Sequence, residues 1–153
     1  MKRKRLDNFI EFWFPVAVWM GFIFWMSTDA FSSERTAEII GPALQMVFPR
    51  LSFAVTDQIH LLIRKAAHIA EYFILGLLLF RALAREDSSL KLRKRSATYV
   101  MIIVVLYAMS DEFHQSFISS RDACIGDVLL DSSGGVLSQI AIMLKRAVGL
   151  ETA

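Results

Sequence analysis

The 153-residue chain holds one cysteine, Cys124. A lone thiol excludes an intramolecular disulfide and any zinc site built from several cysteines. Familiar catalytic punctuation is missing as well. No H-E-x-x-H motif occurs, and His68-x-x-Glu71 offers only two ligands from one helix face. His60, His68 and His114 are therefore not expected to hold a metal. No G-x-S-x-G context surrounds Ser110, Ser116, Ser119 or Ser120. Gly134-Gly135 lies inside an apolar run and reads as helix packing, not as a phosphate loop. No stretch interleaves basic and aromatic residues as nucleic-acid binding needs, and neither internal repeats nor low-complexity segments occur. No cofactor and no nucleic-acid partner are expected.

What is abundant is apolar sequence. The hydrophobic fraction is 55%, with 12 Phe and 3 Trp, against about 45–50% for ordinary soluble domains. Clustering matters more than the total, because a helix needs about 20 mostly apolar residues to cross a bilayer. Four runs meet that length: 9–27, 66–84, 97–113 and 126–144. The expected fold is an all-α membrane protein, a single-domain bundle of four transmembrane helices. The basic start MKRKR before an aromatic run has the charge layout of a signal peptide. The run is long, however, and no clean small-x-small site follows, so an uncleaved first span is expected. Pro15 falls within that span, where a kink is tolerated if the freed carbonyl finds a partner.

Residues 28–65 are too polar to span. Ser33 and Glu34 are placed to cap a short helix, which Gly41-Pro42 is expected to interrupt. This segment reads as an amphipathic or re-entrant element between the first two spans. Leu51 to Lys65 reads as a helical lead-in to the second.

Charge distribution orients the bundle. Lys2, Arg3, Lys4, Arg5, Arg81, Arg85, Lys91, Arg93, Lys94, Arg95, Lys145 and Arg146 all flank the spans on one side. Only Arg35, Arg50, Arg64, Lys65 and Arg121 flank them on the other. Basic segments stay cytoplasmic, so both termini are expected inside.

That topology has a functional consequence. His68, Glu71 and Tyr72 share a helix face at the start of span two. Asp111, Glu112, His114 and Gln115 end span three. Arg121, Asp127 and Asp131 flank or begin span four, where Asp127, Asp131, Gly134, Gly135 and Ser138 form one polar and small-residue face. All are expected at one depth, the outer membrane boundary, where ionisable groups are costly unless paired, watered or functional. Asp111, Glu112, Asp127 and His68 are the candidate acids and bases. Lys65, Arg64 and Arg121 suit a phosphate or carboxylate head group. The competing reading is a purely structural network in which Arg121 or Arg64 pairs with these acids. A proton-coupled carrier ranks last, because the acids sit at one end and not at mid-depth.

Two stretches, RKAAHIAEYFILGLLL and YAMSDEFHQSFISSRDACIGDVLLDSSGG, resemble the VanZ-like family of small bacterial membrane proteins. Lys65, His68 and Tyr72 carry the first likeness. Asp111, Glu112, Gln115, Arg121, Asp127, Asp131 and the glycine pair carry the second. The resemblance covers spans two to four, and more loosely Ser27 and Ser32-Ser33. Two departures stand out: Phe117-Ile118-Ser119-Ser120-Arg121 replaces a frequent Pro-Gly before the arginine, and Asp131 stands where asparagine is common. The resemblance implies a multi-pass protein of the bacterial cytoplasmic membrane with a cell-envelope role, the family name being linked to low-level teicoplanin resistance. It implies as partners membrane lipids, a lipid-linked envelope precursor or a glycopeptide. The ligand-binding set is then Lys65, His68, Glu71, Tyr72, Asp111, Glu112, His114, Gln115, Arg121, Asp127 and Asp131, and the alternative activity is acid–base hydrolysis or transfer on a lipid-linked substrate.

Overall fold

The computed structural model describes residues 2–84, 90–118 and 124–149. Among the described residues five α-helices follow one another: α1 Lys2–Met26, α2 Ser33–Val47, α3 Phe53–Ala84, α4 Leu90–Gln115 and α5 Ile125–Ala147, with a 3-10 turn at Asp29–Phe31. Four of them, all but α2, are long and apolar enough to cross a membrane, and no strand occurs among the described residues.

Two local expectations need correction. The helix after the first span is capped by Ser32, not Ser33; the Ser32 side chain accepts from the Arg35 amide. Gly41-Pro42 does not interrupt α2, which runs through Pro42 unbroken. Proline denies a hydrogen bond to the carbonyl four residues earlier, and here that residue is the exposed Glu38. Solvent or head groups satisfy such a carbonyl, so the helix continues. Pro15 stands in the same relation to the exposed Glu11, and α1 continues likewise. The lead-in and second span form one helix, α3, of 32 residues. At 1.5 Å per residue it is about 48 Å long, well beyond the ~30 Å hydrocarbon core. Its first turns carry Thr56, His60 and Arg64, and α2 docks there. α5 ends at Ala147 with Val148 as its C-cap, and Gly149 follows with a φ of 70°, the left-handed conformation that glycine adopts without strain.

α3 is the centre of the bundle and touches every other helix. Its neighbours alternate in direction. Trp19 of α1 meets Glu71 and Phe12 meets Arg81, so α1 and α3 are antiparallel. Tyr107 meets Met20 and Gln115 meets Ser27, so α4 runs with α1. His68 meets Asp131 and Phe80 meets Arg146, so α5 runs with α3. The chain therefore crosses the bundle four times in alternating directions and returns both terminal helix ends to the same end, opposite α2.

Lipid is as apolar as leucine, so helices in it associate through close packing and polar contacts and not through apolar burial alone. The most extensive interface, α3 with α5, shows this. A Cβ on Gly134 would run into the Ile69 carbonyl, and one on Gly76 would run into Ser138 Oγ. The backbones approach closely only because both positions are glycine. Around this seam lie Tyr72, Leu75, Leu79, Val100 and Val104, all within 1% of complete burial. α1 is the most peripheral span. It is tied on by two hydrogen bonds to helix carbonyls, Trp19 Nε1 to Glu71 O at 2.9 Å and Tyr107 Oη to Met20 O.

Candidate functional site

The α2 end of the bundle gathers the polar residues. On α4, Asp111, Glu112 and Gln115 are buried while Phe113 between them is 68% exposed. That inversion is what a bilayer demands: the phenyl ring meets lipid and the carboxyls turn inward. Gln115 Nε2 donates to Asp111 Oδ2 at 3.0 Å and to Ser27 Oγ at 3.4 Å, joining the ends of α4 and α1. Glu112 Oε2 accepts from the Cys124 amide at 2.9 Å. Cys124 is itself the N-cap of α5, its Sγ accepting from the Gly126 amide. The Glu112 carboxylate thus lies against the positive end of the α5 dipole, where an anion is favoured.

At the centre stands Asp131, fully buried. His68 Nδ1 lies 3.3 Å from its Oδ1, the approach of an ion pair and not of an aligned hydrogen bond. The Tyr72 hydroxyl is buried without a hydrogen-bond partner among the described residues. Asp111 and Asp131 lie near Tyr72, and Asp127 lies near Glu112. An uncompensated buried carboxylate is expensive, and His68 is the cation-capable group placed to offset Asp131. In return the carboxylate fixes the ring: with Nδ1 turned to Asp131, Nε2 is the nitrogen left for chemistry.

His68 also lines a cleft between α2 and α3 of about 160 Å³. Met26, Phe31, Ile40 and Ile63 make its apolar walls, and Thr36, Arg64, His68 and Glu71 supply its polar groups. Arg64 holds the roof in place: Nη1 donates to Phe31 O at 2.9 Å and to Thr36 Oγ1 at 3.1 Å. Thr36 Oγ1 also stands 2.9 Å from Nε2 of the buried His60. The cleft is smaller than the ~300 Å³ at which drug-sized pockets begin.

The expected site residues thus separate into groups. His68, Tyr72 and Asp131 form one cluster with Asp111, Glu112 and Asp127 around it; Glu71 and His68 face the cleft; Gln115 braces Asp111. Lys65 is exposed. His114 packs against Phe24 of α1, ring centroids 4.4 Å apart and planes tilted by 44°. Arg121 lies outside the described residues. Thr36 and Trp19 emerge only in three dimensions as parts of the site or its frame, whereas Arg64 is among the head-group candidates of the sequence. Arg64 is marked in the sequence by its position four residues before His68 on the same stripe; Thr36 and Trp19 carry no such mark.

A family profile described as VanZ/LLP1 matches residues 12–146. The match spans all four membrane-length helices and every group of the polar cluster, and the chain belongs to that family. No curated protein and no solved structure matches it.

Proposed function

We propose that this VanZ/LLP1 chain is a cell-envelope factor of the bacterial cytoplasmic membrane, with the α2 end outside, both termini inside, and the α2–α3 cleft receiving the anionic head group of a membrane lipid or lipid-linked envelope precursor. The observation that carries the reading is the His68–Asp131 pair beneath a cleft walled by Arg64. A phosphate entering there meets a guanidinium and an imidazole, each a charge-assisted donor, while Phe31, Ile40 and Ile63 line the path of an attached chain. Size steers the choice of ligand, since about 160 Å³ suits a head group and not a whole glycopeptide antibiotic. An effect on teicoplanin susceptibility would then be indirect, through a precursor or the membrane surface. The orientation rests on the excess of Lys and Arg at the terminal end.

One observation favours a second reading. A fully buried Asp behind a His that opens to a cleft is the arrangement that sets an imidazole up for proton transfer. On that reading the chain is an acid–base hydrolase or transferase acting on a lipid-linked phosphate.

Binding of a short-chain polyprenyl phosphate to purified protein in detergent, followed by calorimetry, tests the first reading. His68→Ala and Arg64→Gln are each expected to weaken binding at least tenfold, the loss of about one charge-assisted bond. Unchanged binding in both variants refutes it. Release of inorganic phosphate by the wild type, abolished in Asp131→Asn with head-group binding retained, would establish the enzyme; no turnover leaves a binder. In cells, cysteine labelling should find Arg50→Cys accessible from outside.

A further inference from the structure

A second concavity lies at the other end of the bundle, away from the α2 cleft. Beyond the close contact at Gly76 and Ser138, α3 and α5 open a groove of about 440 Å³ between them. Phe73 and Leu77 from α3 and Ala141 and Ile142 from α5 form its apolar walls. Three cations border it: Arg81, Lys145 and Arg146. None of the described residues that line it is acidic.

The cations are differently held. The Arg146 guanidinium sits over the Phe80 ring at 4.8 Å from its centroid, and that of Arg81 sits over Phe12 at the same distance. Such cation–π contacts fix the guanidinium planes in an apolar setting. Lys145 is exposed at the groove's rim. An apolar slot that ends in fixed positive charge has the same division as an anionic glycerophospholipid, a chain below and a phosphate above.

We propose that this groove seats one anionic glycerophospholipid, its acyl chain between Phe73, Leu77 and Ile142 and its phosphate against Arg81, Lys145 and Arg146. Charge selects the occupant. A zwitterionic lipid brings its own ammonium to a site that already carries three positive groups, whereas an anionic head group is neutralised there. Basic pockets between membrane helices on the cytoplasmic side take anionic head groups for this reason. Arginine and lysine at helix ends also snorkel with no bound ligand, and they attract anionic lipid diffusely. A seated lipid needs the slot as well as the charge, and that difference can be measured.

The full chain in nanodiscs of equal phosphatidylglycerol and phosphatidylcholine, released and weighed by native mass spectrometry, gives the ratio of the two lipids retained. The wild type is expected to retain phosphatidylglycerol preferentially. Each lost cation should lower the preference about fivefold, so Lys145→Gln with Arg146→Gln lowers it about 25-fold and leaves only the share of Arg81. Arg50→Gln removes an exposed charge from the opposite end and should leave the ratio unchanged. Ala141→Trp fills the slot and keeps all three cations; it should lose the bound lipid. A wild-type ratio in the Lys145/Arg146 double variant overturns the proposal. So does a wild-type ratio in Ala141→Trp, which leaves only diffuse attraction. Displacement of the lipid by millimolar glycerol phosphate also overturns it, because the chain then contributes nothing.

Discussion

Gly134→Ala isolates the physical basis of the whole site. In an exposed helix position alanine is favoured over glycine by about 1 kcal/mol, so the change is stabilising unless the new methyl has nowhere to go. At Gly134 it has nowhere. The added carbon would collide with the Ile69 carbonyl and stand 3.0 Å from Phe73 N and 3.1 Å from Tyr72 Cβ. These neighbours are mostly helix backbone, which yields only by moving the helix. Restoring ordinary contact distances requires α5 to back away from α3 by about 1 Å. His68 and Asp131, now 3.3 Å apart and three residues from the seam, would separate past 4 Å. Overpacking of this kind costs about 1–3 kcal/mol, which outweighs or cancels the propensity gain. Gly21 supplies the control, since a Cβ there meets nothing within 4 Å, and Gly21→Ala should realise that gain in full. The two variants should therefore differ by about 1–3 kcal/mol, or roughly 2–12 °C in Tm for a chain of this size, with Gly134→Ala the less stable. Thermal unfolding in detergent, followed by circular dichroism, reads the difference. Head-group binding should fall in Gly134→Ala alone. Equal melting temperatures with binding intact would refute both the close α3–α5 approach and its role in holding the acid–imidazole pair.

Three further outcomes follow from single contacts. Trp19→Phe removes the indole donor to the Glu71 carbonyl and should cost about 0.5–1.5 kcal/mol, with α1 becoming the first segment cleaved in limited proteolysis; Trp25→Phe, at an exposed position, should not change the cleavage pattern. Gln115→Leu deprives the buried Asp111 carboxylate of one donor and should cost about 1.5–3 kcal/mol, visible as a lowered Tm that Gln115→Asn only partly restores. Arg64→Ala cuts two of the bonds that hold the 3-10 turn and α2 to α3 and leaves the Thr36–His60 bond, so amide exchange should quicken across Ser33–Val47 and stay slow in α5. Protection unchanged in α2 would show that the cleft's roof stands without Arg64.

Much of the architecture is legible in one dimension because it depends on run length. Whether a stretch spans a bilayer is settled by about 20 consecutive side chains. The four spans, the short element between the first two and the gathering of His68, Asp111 and Asp131 at one end all follow from counting along the chain. The small-residue face of α5 is legible for the same reason: Asp131, Gly134, Gly135 and Ser138 recur at helical spacing, and all four are buried.

Rotation and pairing are another matter. A helix apolar on nearly every side carries little periodic signal to say which face turns inward, so only packing shows that Phe113 looks outward while Asp111 and Glu112 look in. The choice of Asp131 over Asp127 as the partner of His68 depends on the depth at which α3 and α5 cross, which Gly134 and Gly76 determine by letting two backbones touch. The cleft exists because Arg64 reaches the Phe31 carbonyl 33 residues away in sequence. Composition places charges at a membrane boundary. Which charges face each other is decided by where the helix backbones come into contact, and that is a property of pairs of helices and not of any one of them.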